Sequence, residues 1–158
     1  MPIKEEQEHI FQLLGYVPSA AQQPIHDSTA RIKLVAGGER GGKSMVSAKE
    51  YIGRHWETPL LWLVAQDYER TRPEFNYICD DFAKLGYNFT ATSRVDPGEI
   101  TVAGSGFRIA TKSAKDPRRI AAEAPDGILA CEGSQLDYET FLRLRGRLAE
   151  KRGWMVLS

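Results

Sequence analysis

The chain has 158 residues, enough for one domain with a core of its own. Hydrophobic residues make up 42% and charged residues 27%, the ordinary balance of a globular domain. The 21 basic and 21 acidic residues cancel, so overall charge gives no argument for nucleic acid. No apolar run approaches membrane-spanning length, and the start, MPIKEEQEHI, is not a signal peptide. Cys79 and Cys131 lie far apart with no ligand spacing, which reads as free thiols rather than a disulfide or zinc scaffold.

Residues 3–14 read as a helix, with Ile3, Ile10, Phe11, Leu13 and Leu14 set among acids and ended by Gly15. Pro18 and Ser19 look like a second helix start, limited or kinked by Pro24. In this stretch Tyr16 is a candidate to stack on a nucleotide base. Gln22 is a candidate to pair with an adenine edge, because an amide both donates and accepts. The plainer alternative leaves Gln22 and Gln23 as exposed helix residues.

Residues 32–36 form a short apolar run that reads as a buried strand. Gly37-Gly38-Glu39-Arg40-Gly41-Gly42-Lys43-Ser44 follows and fits G-x-x-x-x-G-K-[ST], the phosphate-binding P-loop. Then Met45, Ala48, Ile52 and Trp56 mark one face of a helix over 45–56. Strand, loop and helix in that order are the context the motif requires. Glycines let successive N–H groups turn inward on phosphate oxygens, and a helix N-terminus adds partial positive charge there. Lys43 can reach the β/γ-phosphates, and the Ser44 hydroxyl can hold Mg²⁺.

LLWLVA at 60–65 reads as a second buried strand and 67–85 as a helix, with Pro73 in its first turns or bending it. Short strands are expected at 89–92, 99–102 and 107–111. The Gly104-Ser105-Gly106 turn makes 99–111 a hairpin. Residues 112–125 are polar and irregular, and Arg118 and Arg119 read as a solvated face, or as residues turned to phosphate or to a neighbouring subunit.

Gly127 to Glu132 is an apolar strand ending in an acid, the shape of a Walker B segment. That segment usually ends Asp-Glu, the Asp in the Mg²⁺ shell and the Glu on the attacking water. Here Cys131 stands at the Asp position, and a thiol is a poor ligand for hard Mg²⁺. Glu132 can still polarise water, and a contact to the metal through water is open to it. A helix opened by Ser134-Gln135-Leu136-Asp137 should bury Phe141, Leu144 and Leu148 and carry arginines outward as a solvated face. Residues 154–157 read as a last buried strand.

Taken together these segments resemble the N-terminal ATPase domain of tailed-phage large terminases, over nearly the whole chain. GYVPSAAQQPIHDS looks like the adenine-binding segment, with Gln22 at its glutamine. VAGGERGGKS looks like a Walker A that carries an arginine, here Arg40. LLWLVAQDYERTR resembles the strand and helix that follow, and PDGILACEGSQLDYETFLRLRGRL the Walker B with its helix. GWMVLS looks like the strand leading to the coupling motif, with Ser158 its first residue.

The resemblance implies a three-layer α/β P-loop NTPase with a mostly parallel central sheet, incomplete at its C-terminal end. Residues 1–158 would form a single ATPase domain, with the lid and nuclease domain of the family absent. It implies ATP and Mg²⁺ as cofactors and a catalytic set of Lys43, Glu132 and Arg40, the last responding to γ-phosphate charge. It also implies duplex DNA, a portal protein and a small terminase subunit as partners, a homo-oligomeric ring, and the cytoplasm of an infected host cell rather than a membrane. Cys131 departs from the pattern and puts Mg²⁺ handling in question. The rival readings are a helicase-like ATPase or small-molecule kinase, and a nucleotide-binding module that has lost hydrolysis.

Overall fold

Strand β2, Leu60–Ala65, shows how the layers arise, because every one of its residues is buried. Successive side chains of a strand point to opposite faces. Leu61, Leu63 and Ala65 join one apolar cluster, while Leu60, Trp62 and Val64 join another. A strand with two buried faces needs helices on both sides, the requirement of a mainly parallel sheet. The computed structural model describes residues 2–37 and 42–158.

In chain order the elements are α1 (Pro2–Leu14), α2 (Gln23–Asp27), β1 (Ile32–Leu34), α3 (Lys43–Ile52), β2, α4 (Arg72–Lys84), β3 (Phe89–Ala91), β4 (Glu99–Val102), β5 (Arg108–Ser113), α5 (Pro117–Ile120), β6 (Gly127–Ala130), α6 (Tyr138–Ala149) and β7 (Trp154–Leu157). The strands form one seven-stranded sheet in the order β1-β7-β6-β2-β5-β4-β3. From β1 to β5 all neighbours are parallel, and β4 and β3 complete the sheet antiparallel. The expected hairpin is therefore present, at the end of the sheet away from β1. Residues of α1, α3 and α4 cover one face and those of α5 and α6 the other. This is the three-layer α/β architecture the sequence implied.

Several expectations are corrected in detail. Strand β1 is not buried: Ile32 is 38% and Leu34 77% exposed, and only Lys33 and Val35 turn inward. It lies at the end of the sheet, paired on one side only, by β7. The helix expected from Pro18 starts only at Gln23, which puts Pro24 in the first turn, where its missing N–H costs nothing. Helix α3 stops at Ile52 before Gly53, and a 3₁₀ turn at His55–Glu57 carries the half-buried Trp56. A 3₁₀ turn at Tyr68–Thr71 precedes α4, so Pro73 opens that helix without bending it. The cap of α6 is Asp137, whose carboxylate accepts the Thr140 N–H at 2.7 Å, and not Ser134.

Helix α3 is buried from Val46 to Ile52, charges included, so its apolar stripe understated its burial. The charges are paired. Lys49 binds both carboxylate oxygens of Asp81 on α4, at 2.7 and 2.8 Å. Glu50 takes the Nδ1 proton of His26 at 2.6 Å and the Lys33 ammonium at 2.8 Å. Burial alone would raise the Glu50 carboxyl, but the His26 hydrogen bond and the Lys33 charge more than offset it and hold it below the usual range.

Candidate functional site

Parallel strands place their carboxyl ends on one edge, and ligands of open α/β sheets bind outside that edge. Here a cleft of about 590 Å³ opens beyond β6 and β7. The first turn of α3 supplies Gly42, Lys43 and Ser44 to it, α4 supplies Pro73 and Tyr77, and the strand ends supply Glu132 and Ser158. The volume suits a nucleotide-sized ligand.

The loop approaches the helix through Gly42, which sits at φ 73°, a conformation that glycine adopts without strain. The stem of Lys43 folds back over Gly37, where an added Cβ would lie 3.8 Å from Lys43 Cγ. Gly37 and Gly42–Ser44 thus frame the loop. Gly38, Glu39, Arg40 and Gly41 lie outside the described residues, and with them the expected role of Arg40.

Glu132 is turned into the cleft by its backbone. Its φ and ψ are both 51°, a left-handed geometry that costs a non-glycine residue of order 1–3 kcal/mol and tends to mark functional sites. The next residue is fixed, since Gly133 N–H donates to the Ser158 carbonyl at 2.6 Å. The Glu132 side chain is half exposed, with Arg70 Nε 3.2 Å from one carboxylate oxygen. Lys43, Ser44 and Glu132 therefore line one cleft.

Cys131 lies just behind Glu132, on the face of the sheet covered by α3 and α4. It is 1% exposed and its thiol donates to the Leu129 carbonyl at 3.6 Å. Burial, with the Glu74 charge beside it, pushes the thiol well above its ordinary range, so it stays neutral. Glu74 itself, on α4, is 1% exposed. Burial pushes its carboxyl up, while the Ser44 hydroxyl and the Cys131 thiol beside it pull the other way. Its Oε2 has no hydrogen-bond partner among the described residues.

The residues here fit a magnesium ion. Ser44 offers a hard oxygen, Glu132 a carboxylate, and Glu74 an orphaned buried oxygen, which is the chemistry of a hard cation's surroundings. Among the described residues no three His, Cys, Asp or Glu side chains are placed to hold an ion directly. An ion held here would need further oxygen donors from water or a bound ligand, as is usual for Mg²⁺.

The expected base segment sits beside the loop rather than in the cleft. The Gln22 amide nitrogen is 3.6 Å from where a Cβ on Gly42 would be, and its Oε1 accepts the Ser19 N–H at 2.9 Å. Tyr16 is held by its neighbours: its ring lies edge-on to Phe11 at 4.8 Å, and Lys49 Nζ stands 5.4 Å from its centroid. Its hydroxyl lies 2.9 Å from His26 Nε2, which accepts when the imidazole is neutral and gives Nδ1–H to Glu50. Burial first, then the Glu50 charge, push the Tyr16 hydroxyl up to about 12. A relay thus runs from Tyr16 through His26 and Glu50 to Lys33 on β1.

Sequence reasoning missed Glu74, Arg70 and this relay. For Glu74 a signal was present. Glu74, Ile78 and Asp81 are spaced i, i+4 and i+7, which puts two acids on the buried face of α4. Nothing in the sequence pattern marked Arg70 or paired Glu50 with His26. Arg118 and Arg119 are exposed, with Arg119 paired to Asp116 at 3.2 Å, as a solvated face requires.

No protein-family model matches the chain. Among curated proteins it is similar to the terminase large subunits of Thermus virus P23-45 and Thermus phage G20c. Each is 25% identical over 171 aligned positions, which cover 95% of this chain and 35% of the relative. The chain spans about a third of the length of the curated relatives it matches. Among solved structures, the Thermus phage P74-26 large terminase ATPase domain superposes with a TM-score of 0.74 at 19% identity, covering 94% of this chain and 67% of that one. The large terminase of the thermophilic bacteriophage D6E in complex with ADP superposes with a TM-score of 0.68 at 13% identity, covering 89% of this chain and 38% of that one. The fold is that of these ATPase domains, and the resemblance read from the sequence agrees with the relatives found.

Proposed function

We propose that this chain binds ATP with Mg²⁺ at the P-loop cleft and hydrolyses it as the ATPase part of a viral DNA-packaging motor. One observation carries the reading: Lys43 and Ser44 of a P-loop between β1 and α3 converge with Glu132 of the strand end on one cleft. The similarity to terminase large subunits supports the motor assignment, and the neighbour solved with ADP supports a nucleotide as the ligand.

The work of each residue follows from its place. Lys43 neutralises phosphate charge at the helix N-terminus, where the first N–H groups of α3 are also available to phosphate oxygens. Ser44 offers its hydroxyl to the metal. A bound Mg²⁺ supplies charge neutralisation on the phosphate oxygens. Glu132 orients water and accepts its proton, with Arg70 holding the carboxylate at the cleft's edge. Fixed charges aimed at the phosphates are the main catalytic contribution in this chemistry. By the same reading Gln22, whose amide nitrogen lies near Gly42, reads the base from beside the loop. Arg40 belongs to the same reading as the charge sensor of the loop. By the same reading residues 1–158 are one ATPase domain working in a homo-oligomeric ring on duplex DNA, with portal protein and small terminase subunit, in the host cytoplasm. No described helix is long and apolar enough to cross a membrane.

Cys131 favours a second reading, a nucleotide-binding module without turnover. A steady-state ATPase assay with and without duplex DNA separates the cases. Turnover that rises with DNA supports the motor, turnover indifferent to DNA points to another P-loop ATPase, and binding without turnover to the module. Absence of nucleotide binding refutes all three.

A further inference from the structure

The strand end that should carry an acid carries a neutral thiol, and an acid stands beside it on a different element. Glu74 lies on α4 between Pro73 and Tyr77, which line the cleft, and is itself buried behind that lining. Its carboxyl adjoins both the Ser44 hydroxyl and the Cys131 thiol. One oxygen, Oε2, is buried with no partner among the described residues. Leaving such a group unpaired is costly, so a fold that keeps one there has a use for a partner that arrives later. The other charge acting on it is that of Glu132, which is also negative. An orphaned oxygen, a hydroxyl suited to a hard cation and a second carboxylate together call for a cation.

We propose that Glu74 supplies the acidic group of the magnesium–water shell that β6 lacks at Cys131. The inference rests on the nucleotide–Mg²⁺ reading of the cleft given above. Glu74 presents its carboxylate from a helix, on the α3/α4 face of the sheet that also holds Cys131. Its contact is through water, because no three metal-binding side chains among the described residues close on one point. Glu74 is thus a positioning residue for the metal: it orients waters around the ion held by Ser44 and the phosphates. The Glu74 carboxylate and the Cys131 thiol form a matched pair. A small neutral side chain at 131 leaves the room that an aspartate there would contest by like-charge repulsion.

The test uses Mn²⁺ in place of Mg²⁺ with ADP kept below the protein concentration, and reads the loss of the free-ion electron paramagnetic resonance signal beyond that caused by ADP alone. Wild type, Glu74→Gln and the double variant Glu74→Gln/Cys131→Asp are compared, and ADP affinity in EDTA is measured for each. Removing an outer-shell group typically weakens metal binding roughly 10–100-fold. We expect a loss of that size in Glu74→Gln with unchanged metal-free ADP affinity, and substantial recovery in the double variant. Glu74→Gln should also keep its thermal midpoint or raise it, since the amide removes a charge that is unpaired without the metal. Unchanged Mn²⁺ affinity in Glu74→Gln, while Lys43→Ala loses ADP, overturns the proposal and leaves the nucleotide site standing. A steep fall in the midpoint of Glu74→Gln also overturns it, because Glu74 is then a structural core acid. Wild type that binds no ADP overturns the site reading and this inference with it.

Discussion

Glu50→Gln should destabilise the protein far more than any exposed charge change. Glu50 is 1% exposed, and its two oxygens are used separately, one by His26 at 2.6 Å and one by Lys33 at 2.8 Å. A glutamine keeps one acceptor and turns an NH₂ toward the other donor. Lys33 would then hold a buried charge without its counter-ion. Breaking a buried pair from one side costs about 3–5 kcal/mol. The lower end applies, because the Lys33 ammonium keeps the Ile25 carbonyl at 2.7 Å. At roughly 2–4 °C per kcal/mol for a chain of this size, about 3 kcal/mol lowers the melting temperature by about 6–12 °C. Glu139→Gln, which breaks the exposed pair with Arg143, should cost less than about 0.5 kcal/mol. The Glu50 carboxyl is held below its unfolded value, so its contribution is present above the ordinary glutamate range and fades as pH falls through the folded value. The gap between wild type and Glu50→Gln, followed by circular dichroism melts, should therefore be full at neutral pH and narrow in acid. A gap no larger than that of Glu139→Gln, or one that does not narrow in acid, would refute the reasoning.

Three further outcomes follow from the site and the core. Glu132→Gln should keep nucleotide binding and lose roughly 10²–10⁴-fold in turnover, since the amide cannot accept the proton; equal turnover in a phosphate-release assay would remove Glu132 from the chemistry. Gln22→Ala should narrow the preference for ATP over GTP in competition binding, while Gln23→Ala, whose amide donates to Asp27 at 2.8 Å, should not. Gly127→Ala should cost about 1–3 kcal/mol in urea unfolding, because the new Cβ would lie 2.7 Å from Trp154 Cε2 and 3.0 Å from Thr58 Cγ2; an unchanged midpoint would show that Trp154 moves freely.

The three-layer fold was legible in the sequence for physical reasons. A strand buried on both faces, such as LLWLVA, has no polar residue to spare. The run from Gly37 to Ser44 was legible as a motif, because its spacing matches a phosphate-binding pattern rather than a packing period. Local signals misled where tertiary position decided. Ile32 and Leu34 look like core residues, but β1 ends the sheet and its outer face is left uncovered. Lys49 and Glu50 look like the solvated face of a helix, yet both are buried, because partners from α4, β1 and α2 come to meet them. Ser134 offers as good a cap as Asp137, and only the left-handed turn at Glu132 and the 3₁₀ turn after it decide for the second. Glu74 was hidden for a related reason. Its spacing marks it as a buried acid, but the groups it lies against, Cys131 and Ser44, are distant in sequence, and no single segment contains the three.

Binding of a fluorescent ATP analogue to Lys43→Ala tests the site most directly. Lys33 and Lys49 are unsuitable controls, since both are buried in ion pairs and their loss would disturb the fold. Lys115 is exposed and does not line the cleft, so Lys115→Ala is the matched surface change. A hydrogen bond to a charged group contributes about 1.5–3 kcal/mol, so Lys43→Ala should weaken binding roughly tenfold or more, with Lys115→Ala at the wild-type value. Equal affinities for all three proteins, with melting temperatures unchanged, would contradict the assignment of this cleft as a nucleotide site.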